Sequence, residues 1–190
     1  MMADWHHTTV CCVRKDGTVA MASDGQVSVE HTILKAGAQK VRRLHDGAVI
    51  AGFAGSSADG LALFSRFEGK LSEYHGNLRR AAVELAKEWR MDRSLRHLQA
   101  LLIVADRETS ILLSGNGDVI EPDDGVLTIG SGGSIALAAA RAMLRHSDFD
   151  AEQIARQAVS IASEIDIYTN DRLCMEILPG SPQSGQQEDE

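Results

Sequence analysis

The feature that most constrains this chain is the order in which its hydrophobic periods change. Strand-like runs come first, then two helix-like stretches, strands again, two more helices and a last strand. TTVCCVR and TVAMAS are rich in β-branched and small apolar residues and flank the turn signal KDG. The stretch DGQVSVEHTILKAGA reads as a loop into KVRRLH, and Asp46-Gly47 predicts a tight hairpin into AVIAGFAG. Phe64, Phe67, Leu71 and Tyr74 then recur at helical spacing. Gly76 ends that helix and Asn77 caps the next, whose stripe is Leu78, Ala82, Leu85 and Trp89. LQALLIVAD, TSILLSG and DVIEPDDGVLTIG read as three more strands, with Gly115-Asn116-Gly117 turning between the last two. In the second helix pair, Ile135, Ala139, Ala142, Met143 and His146 share one face. Asp150 with Gln153 predicts a capping box, and Ile154, Ala158, Ile161 and Ile165 line the inner side of the final helix. RLCMEIL closes the pattern before Pro179.

Each sheet has an apolar face to cover, and so does each helix pair. Two stacked sheets between two helix layers satisfy both, an α+β, four-layer αββα sandwich. A chain of 190 residues suffices for one such core, and no repeat or linker divides it. Its net charge of −8 argues against a nucleic-acid partner. No apolar run approaches the roughly 18 residues of a membrane span. The prefix MMADWHH lacks the apolar stretch of a secretory signal, so a cytoplasmic location is expected. Three cysteines, an odd and small number, suit a reducing compartment. Cys11 and Cys12, adjacent on a strand, point to opposite faces and are poorly placed to bridge each other. Neither CxxC nor HExxH spacing occurs. The polar, acidic stretch 179–190 reads as a disordered tail.

Thr8-Thr9 opens the first strand behind only seven residues. A threonine hydroxyl is a poor nucleophile without a base in hydrogen-bond reach. If the chain is cut between His7 and Thr8, the freed α-amine of Thr8 has a reference pKa of about 7.7–8.0 and can be that base. Asp24 ends the second strand, where a carboxylate can lie near the start of the first. Lys40 opens the third strand; beside the amine it would lower the amine's pKa. Gly52 and Gly55 in AGFAG offer backbone N–H groups for an oxyanion. IGSGGS runs from a strand into a helix and supplies Ser131, which can bond the amine.

Eight segments together carry a resemblance: TTV at 8–10, SDGQ at 23–26, KVRRL at 40–44, IAGFAG at 50–55, AAVELAKEWRMDR at 81–93, SGNGDVIEP at 114–122, IGSGGS at 129–134 and IYTN at 167–170. In this order and spacing they resemble the HslV (ClpQ) family of bacterial ring peptidases, itself similar to proteasome β-subunits, over residues 8–178. The resemblance implies the fold of N-terminal nucleophile hydrolases and a threonine peptidase acting on unfolded polypeptides. Position by position it implies Thr8 as nucleophile and its freed amine as base, and Lys40 paired with Asp24. It makes Gly52 the oxyanion glycine and Ser131 the serine near the amine. It further implies a sodium ion held by main-chain oxygens at Ser163, Asp166 and Thr169. The assembly implied is a dodecamer of two stacked six-membered rings. Its partner would be an HslU-type hexameric AAA+ ATPase that consumes the ATP, with Lys35 and Arg42 near the docking site for the ATPase tail. Two departures stand out. Residues 1–7 form a propeptide that methionine removal alone does not clear. Asp166 stands where a small or uncharged residue is expected. A scaffolding ring subunit that is never processed, and a small-molecule amidase of the same nucleophile class, are the competing readings. Thr9 is the rival nucleophile, and Thr9→Ala is expected to keep much of the rate.

Overall fold

A computed structural model describes residues 8–92 and 100–180. The chain runs β1 (Thr9–Lys15), β2 (Thr18–Ser23), β3 (Val27–Val29), β4 (Thr32–Lys35), β5 (Val41–Leu44), β6 (Val49–Ala54), α1 (Ser57–Glu73), α2 (Leu78–Met91), β7 (Leu101–Ala105), β8 (Ser110–Ser114), β9 (Val119–Ile120), β10 (Val126–Gly130), α3 (Gly133–His146), α4 (Ala151–Ile165) and β11 (Cys174–Leu178). One antiparallel sheet has the order β10-β1-β2-β11 and the other β5-β6-β7-β8-β9.

Strand alternation sorts the core into layers. Val10, Cys12, Val19 and Met21 face Val41, Ile50 and Ile103 between the two sheets. Cys11, Val13, Ala20 and Ala22 point the other way, onto Ile154, Ala158 and Ala162 of α4. On the far face of the second sheet, Phe64, Phe67 and Leu71 of α1 meet Leu85 and Trp89 of α2 and Leu102 and Val104 of β7. The four-layer αββα sandwich is thus present. Cys11 and Cys12 lie in different layers as free thiols. Burial raises both thiol pKa values, that of Cys12 to about 11.

The caps follow the sequence. Asn77 accepts the Arg80 N–H at 3.0 Å. Asp150 and Gln153 form a reciprocal capping box on α4. Gly76, at φ 79°, donates to the Leu71 carbonyl at 2.7 Å and closes α1.

Several expectations change. The stretch after Asp24 is not only loop: it contains the β3–β4 hairpin, whose outer strand is exposed throughout. DVIEPDDGVLTIG is two strands, and they belong to different sheets, β9 beside β8 and β10 beside β1. Pro122 between them lacks the N–H that one continuous strand would need. In α3 the buried line is Gly133, Ala136 and Ala140, with Ile135, Ala139 and Met143 half-buried, while Ala142 and His146 are exposed. In α4 the inward position near the end is Ala162, and Ile165 is 64% exposed.

Candidate active site

The open ends of β1 and β2 place Thr8, Thr9 and Asp24 together. Asp24 N–H donates to the Thr9 carbonyl at 3.1 Å, and Thr9 N–H donates to Asp24 Oδ1 at 2.8 Å. The same carboxylate oxygen accepts from Lys40 Nζ at 2.9 Å, and Oδ2 accepts the Gln26 N–H at 2.7 Å. Lys40 Nζ also donates to the Gln26 carbonyl at 2.5 Å. Asp24 is fully buried and Lys40 is 3% exposed. Burial pulls the Lys40 ammonium below its ordinary value, against the opposing charge and hydrogen bond of Asp24. One buried ion pair is therefore clamped directly to the backbone beside Thr8, which is itself 2% exposed.

The loop carrying Asp24 is held from two sides. Asn170 Oδ1 accepts the Gly25 N–H at 3.0 Å, and Asn170 Nδ2 donates to the Ala36 carbonyl at 2.9 Å. A Cβ at Gly25 would lie 2.5 Å from the Ala36 carbonyl oxygen, so only glycine passes there. Gln26 Nε2 adds bonds to Ser28 Oγ at 2.9 Å and to the Ile167 carbonyl at 3.1 Å.

The β10–α3 loop closes the other side. Ser131 N–H donates to the Thr8 carbonyl at 3.0 Å. Ser131 Oγ donates to Asp166 Oδ2 at 2.7 Å, and Thr169 Oγ1 donates to the same oxygen at 2.6 Å. Thr9 Oγ1 lies 2.7 Å from Thr169 Oγ1 and accepts the Gly132 N–H at 3.1 Å.

Of the residues singled out from sequence, Thr8, Asp24, Lys40 and Ser131 converge at this end of the sandwich. Gly52 does not fit an oxyanion role. It lies within β6, opposite Val41 on one side and Ile103 on the other. Whichever way its N–H points, a strand is there to engage it. A Cβ at Gly52 would meet Met21 and Val10 at 2.8 Å, so this glycine lets the two sheets approach. Gly55 is the first residue past β6, at φ 135°, a conformation that favours glycine. Ser163 sits in the last turn of α4, where its Oγ donates to the Ser160 carbonyl at 2.7 Å. Asp166 and Thr169 bound the turn that follows, and their side chains serve the hydrogen-bond chain above. Lys35 and Arg42 are exposed and share a cavity of about 500 Å³ with Lys40, Val27, Phe53 and Leu61. Asn170, Gln26 and the hydroxyls of Thr9 and Thr169 are the supporting residues that sequence reading did not assign. Their signal was present only as membership of the TTV, SDGQ and IYTN segments.

The proteasome-subunit family model matches residues 6–178. The ATP-dependent protease subunit HslV of Petrotoga mobilis is 58% identical over 175 residues, covering 92% of this chain and 99% of that protein. The chain belongs to the HslV family of proteasome subunits. The HslV of Desulfovibrio desulfuricans is 60% identical over 174 residues, covering 91% of this chain and 98% of the relative. The crystal structure of eukaryotic HslV from Trypanosoma brucei superposes with a TM-score of 0.85 at 47% identity, over 89% of this chain and 98% of that one. Membership of the HslV family makes this a proteasome-type protease subunit of the threonine-peptidase kind. No helix among the described residues is long and apolar enough to cross a membrane.

Proposed function

We propose that the chain is the proteolytic subunit of a two-component, ATP-dependent protease that hydrolyses peptide bonds of unfolded proteins, with Thr8 as its nucleophile. The supporting observation is the buried Lys40–Asp24 pair fixed to the Thr9 amide. A buried cation there lowers the pKa of a neighbouring amine, so a freed Thr8 amine is neutral near pH 7 and can take a proton.

Removal of residues 1–7, which lie outside the described residues, frees that amine. The amine then accepts the Thr8 hydroxyl proton as Oγ attacks the substrate carbonyl carbon. A backbone N–H stabilises the oxyanion, and Gly55 replaces Gly52 as the glycine for that role, since it stands beyond the sheet ladder. Collapse breaks the C–N bond and passes the proton to the leaving amine, leaving an ester on Thr8. Water, deprotonated by the same amine, cleaves the ester and restores the hydroxyl. Ser131 spends its single proton on Asp166 and so offers its oxygen only as an acceptor, suited to an amine N–H.

The residues around the α4 terminus fit a sodium ion held by main-chain oxygens. The last helical carbonyls lack intrahelical partners and carry the negative end of the dipole. Ser163 supplies one, and the Asp166 and Thr169 carbonyls follow it; such an ion would stiffen the turn that presents Thr169. The partners proposed are eleven further copies of the chain in a double hexameric ring and an HslU-type hexameric AAA+ ATPase, which alone uses ATP. Lys35 and Arg42, both exposed, would receive its C-terminal carboxylate. Three free thiols suit a cytoplasmic particle.

Thr8→Ala is expected to abolish peptide hydrolysis while native mass shows the same assembly as the parent. Undiminished hydrolysis by that variant would reject the mechanism. Failure of the parent to lose residues 1–7 would favour the scaffold reading.

A further inference from the structure

The second threonine of the pair has a side chain that the reaction at Thr8 does not consume, yet it is fully buried and fully bonded. Its hydrogen bonds have a determined direction. Asp166 is an acceptor when ionised, so Thr169 gives its only hydroxyl proton to Asp166 Oδ2, at 2.6 Å. At the 2.7 Å contact between Thr9 Oγ1 and Thr169 Oγ1, Thr9 must therefore be the donor. Thr9 Oγ1 in turn accepts the Gly132 N–H at 3.1 Å. The chain Gly132 N–H to Thr9 to Thr169 to Asp166 runs one way, and Ser131 Oγ enters the same carboxylate oxygen at 2.7 Å. Space is fitted to it as well: a Cβ at Gly132 would stand 2.3 Å from Thr9 Oγ1 and 3.0 Å from Thr169 Oγ1.

Two conclusions follow. Thr9 has no free proton and no open face, so it is not an alternative nucleophile. Its hydroxyl also joins the β1 end to the loop whose Ser131 N–H holds the Thr8 carbonyl at 3.0 Å. We propose that Thr9, through its hydroxyl, is a positioning residue for the reaction at Thr8, fixing the Ser131–Asp166 pair relative to the nucleophile. This rests on Thr8 being the nucleophile and replaces the expectation that Thr9→Ala keeps much of the rate.

The test compares the parent with Thr9→Val, which keeps the shape and loses the hydroxyl, with Thr9→Ser, which keeps the hydroxyl, and with Thr169→Val, which cuts the chain from its other end. Steady-state hydrolysis of a fluorogenic peptide is measured on the full chain beside thermal unfolding, with Thr8→Ala as reference. In Thr9→Val and Thr169→Val, kcat is expected to fall about 10–100-fold with KM within about twofold, as for misplaced reacting groups, and Thr9→Ser to recover most of kcat. Unchanged kcat in a folded Thr9→Val, with Thr8→Ala inactive, overturns the positioning role alone. Activity in Thr8→Ala overturns the reading beneath it. If both valine variants fail to fold while Thr9→Ser folds, the hydroxyl belongs to stability and the proposal is again overturned.

Discussion

In the proposed mechanism, Lys40 couples stability to chemistry. Its ammonium and the Asp24 carboxylate are almost wholly enclosed. Cutting such a pair from one side leaves a charge in a low-dielectric site and costs about 3–5 kcal/mol. Lys40→Met is therefore expected to lose hydrolysis and to lower the denaturation midpoint. The pH dependence has a definite sign. Burial lowers the Lys40 value below its ordinary 10.5, so between those values the unfolded chain binds more protons than the folded one. The contribution of this group to stability therefore rises with pH across that window and is smallest below it. Denaturation of parent and Lys40→Met at a series of alkaline pH values checks this: the difference between them should carry that slope. At this scale the convergence of Thr8, Lys40, Asp24 and Ser131 was legible, because each is a distinctive residue type within a distinctive segment. Gly52 and Gly55 stand three positions apart in AGFAG, and only the strand boundary at Ala54 separates ladder from loop. The bonds from Thr9 Oγ1 to Thr169 and Gly132, and from Asn170 to Gly25 and Ala36, span more than 120 residues of sequence and have no local signature.

Among the elements, the β1–β10 pairing has the tightest steric demand. Gly130 ends β10 at φ 98°, and a Cβ there would lie 1.6 Å from the Thr8 carbonyl oxygen. Gly130→Ala is expected to displace the start of β1 and to lower peptide hydrolysis by about 100-fold or more. Gly69→Ala is the control, since nothing lies within 4 Å of that position on α1; there the helix should gain about 0.5–1 kcal/mol with unchanged activity. Assays beside thermal melts of the two variants separate these outcomes. Element identity was legible wherever period and cap agreed, as in α2 and at the Asp150 capping box. It failed where the chain changed sheets at Pro122, since periodicity does not say which neighbour a strand pairs with. It failed also along α3, where so many positions are alanine that the inward line has no hydrophobic contrast.

For the whole molecule, the layered sandwich was readable from element order alone, because two helix pairs and two strand groups have few ways to cover one another's apolar faces. Ring assembly and the ATPase partner were not readable that way and entered through resemblance. The proposed chemistry depends on one event, the exposure of the Thr8 amine. The most direct measurement is the intact mass of subunits from purified particles that are hydrolysing peptide. Subunits beginning at Thr8 are the expected result; full activity from particles whose subunits all retain Met1 would contradict the account.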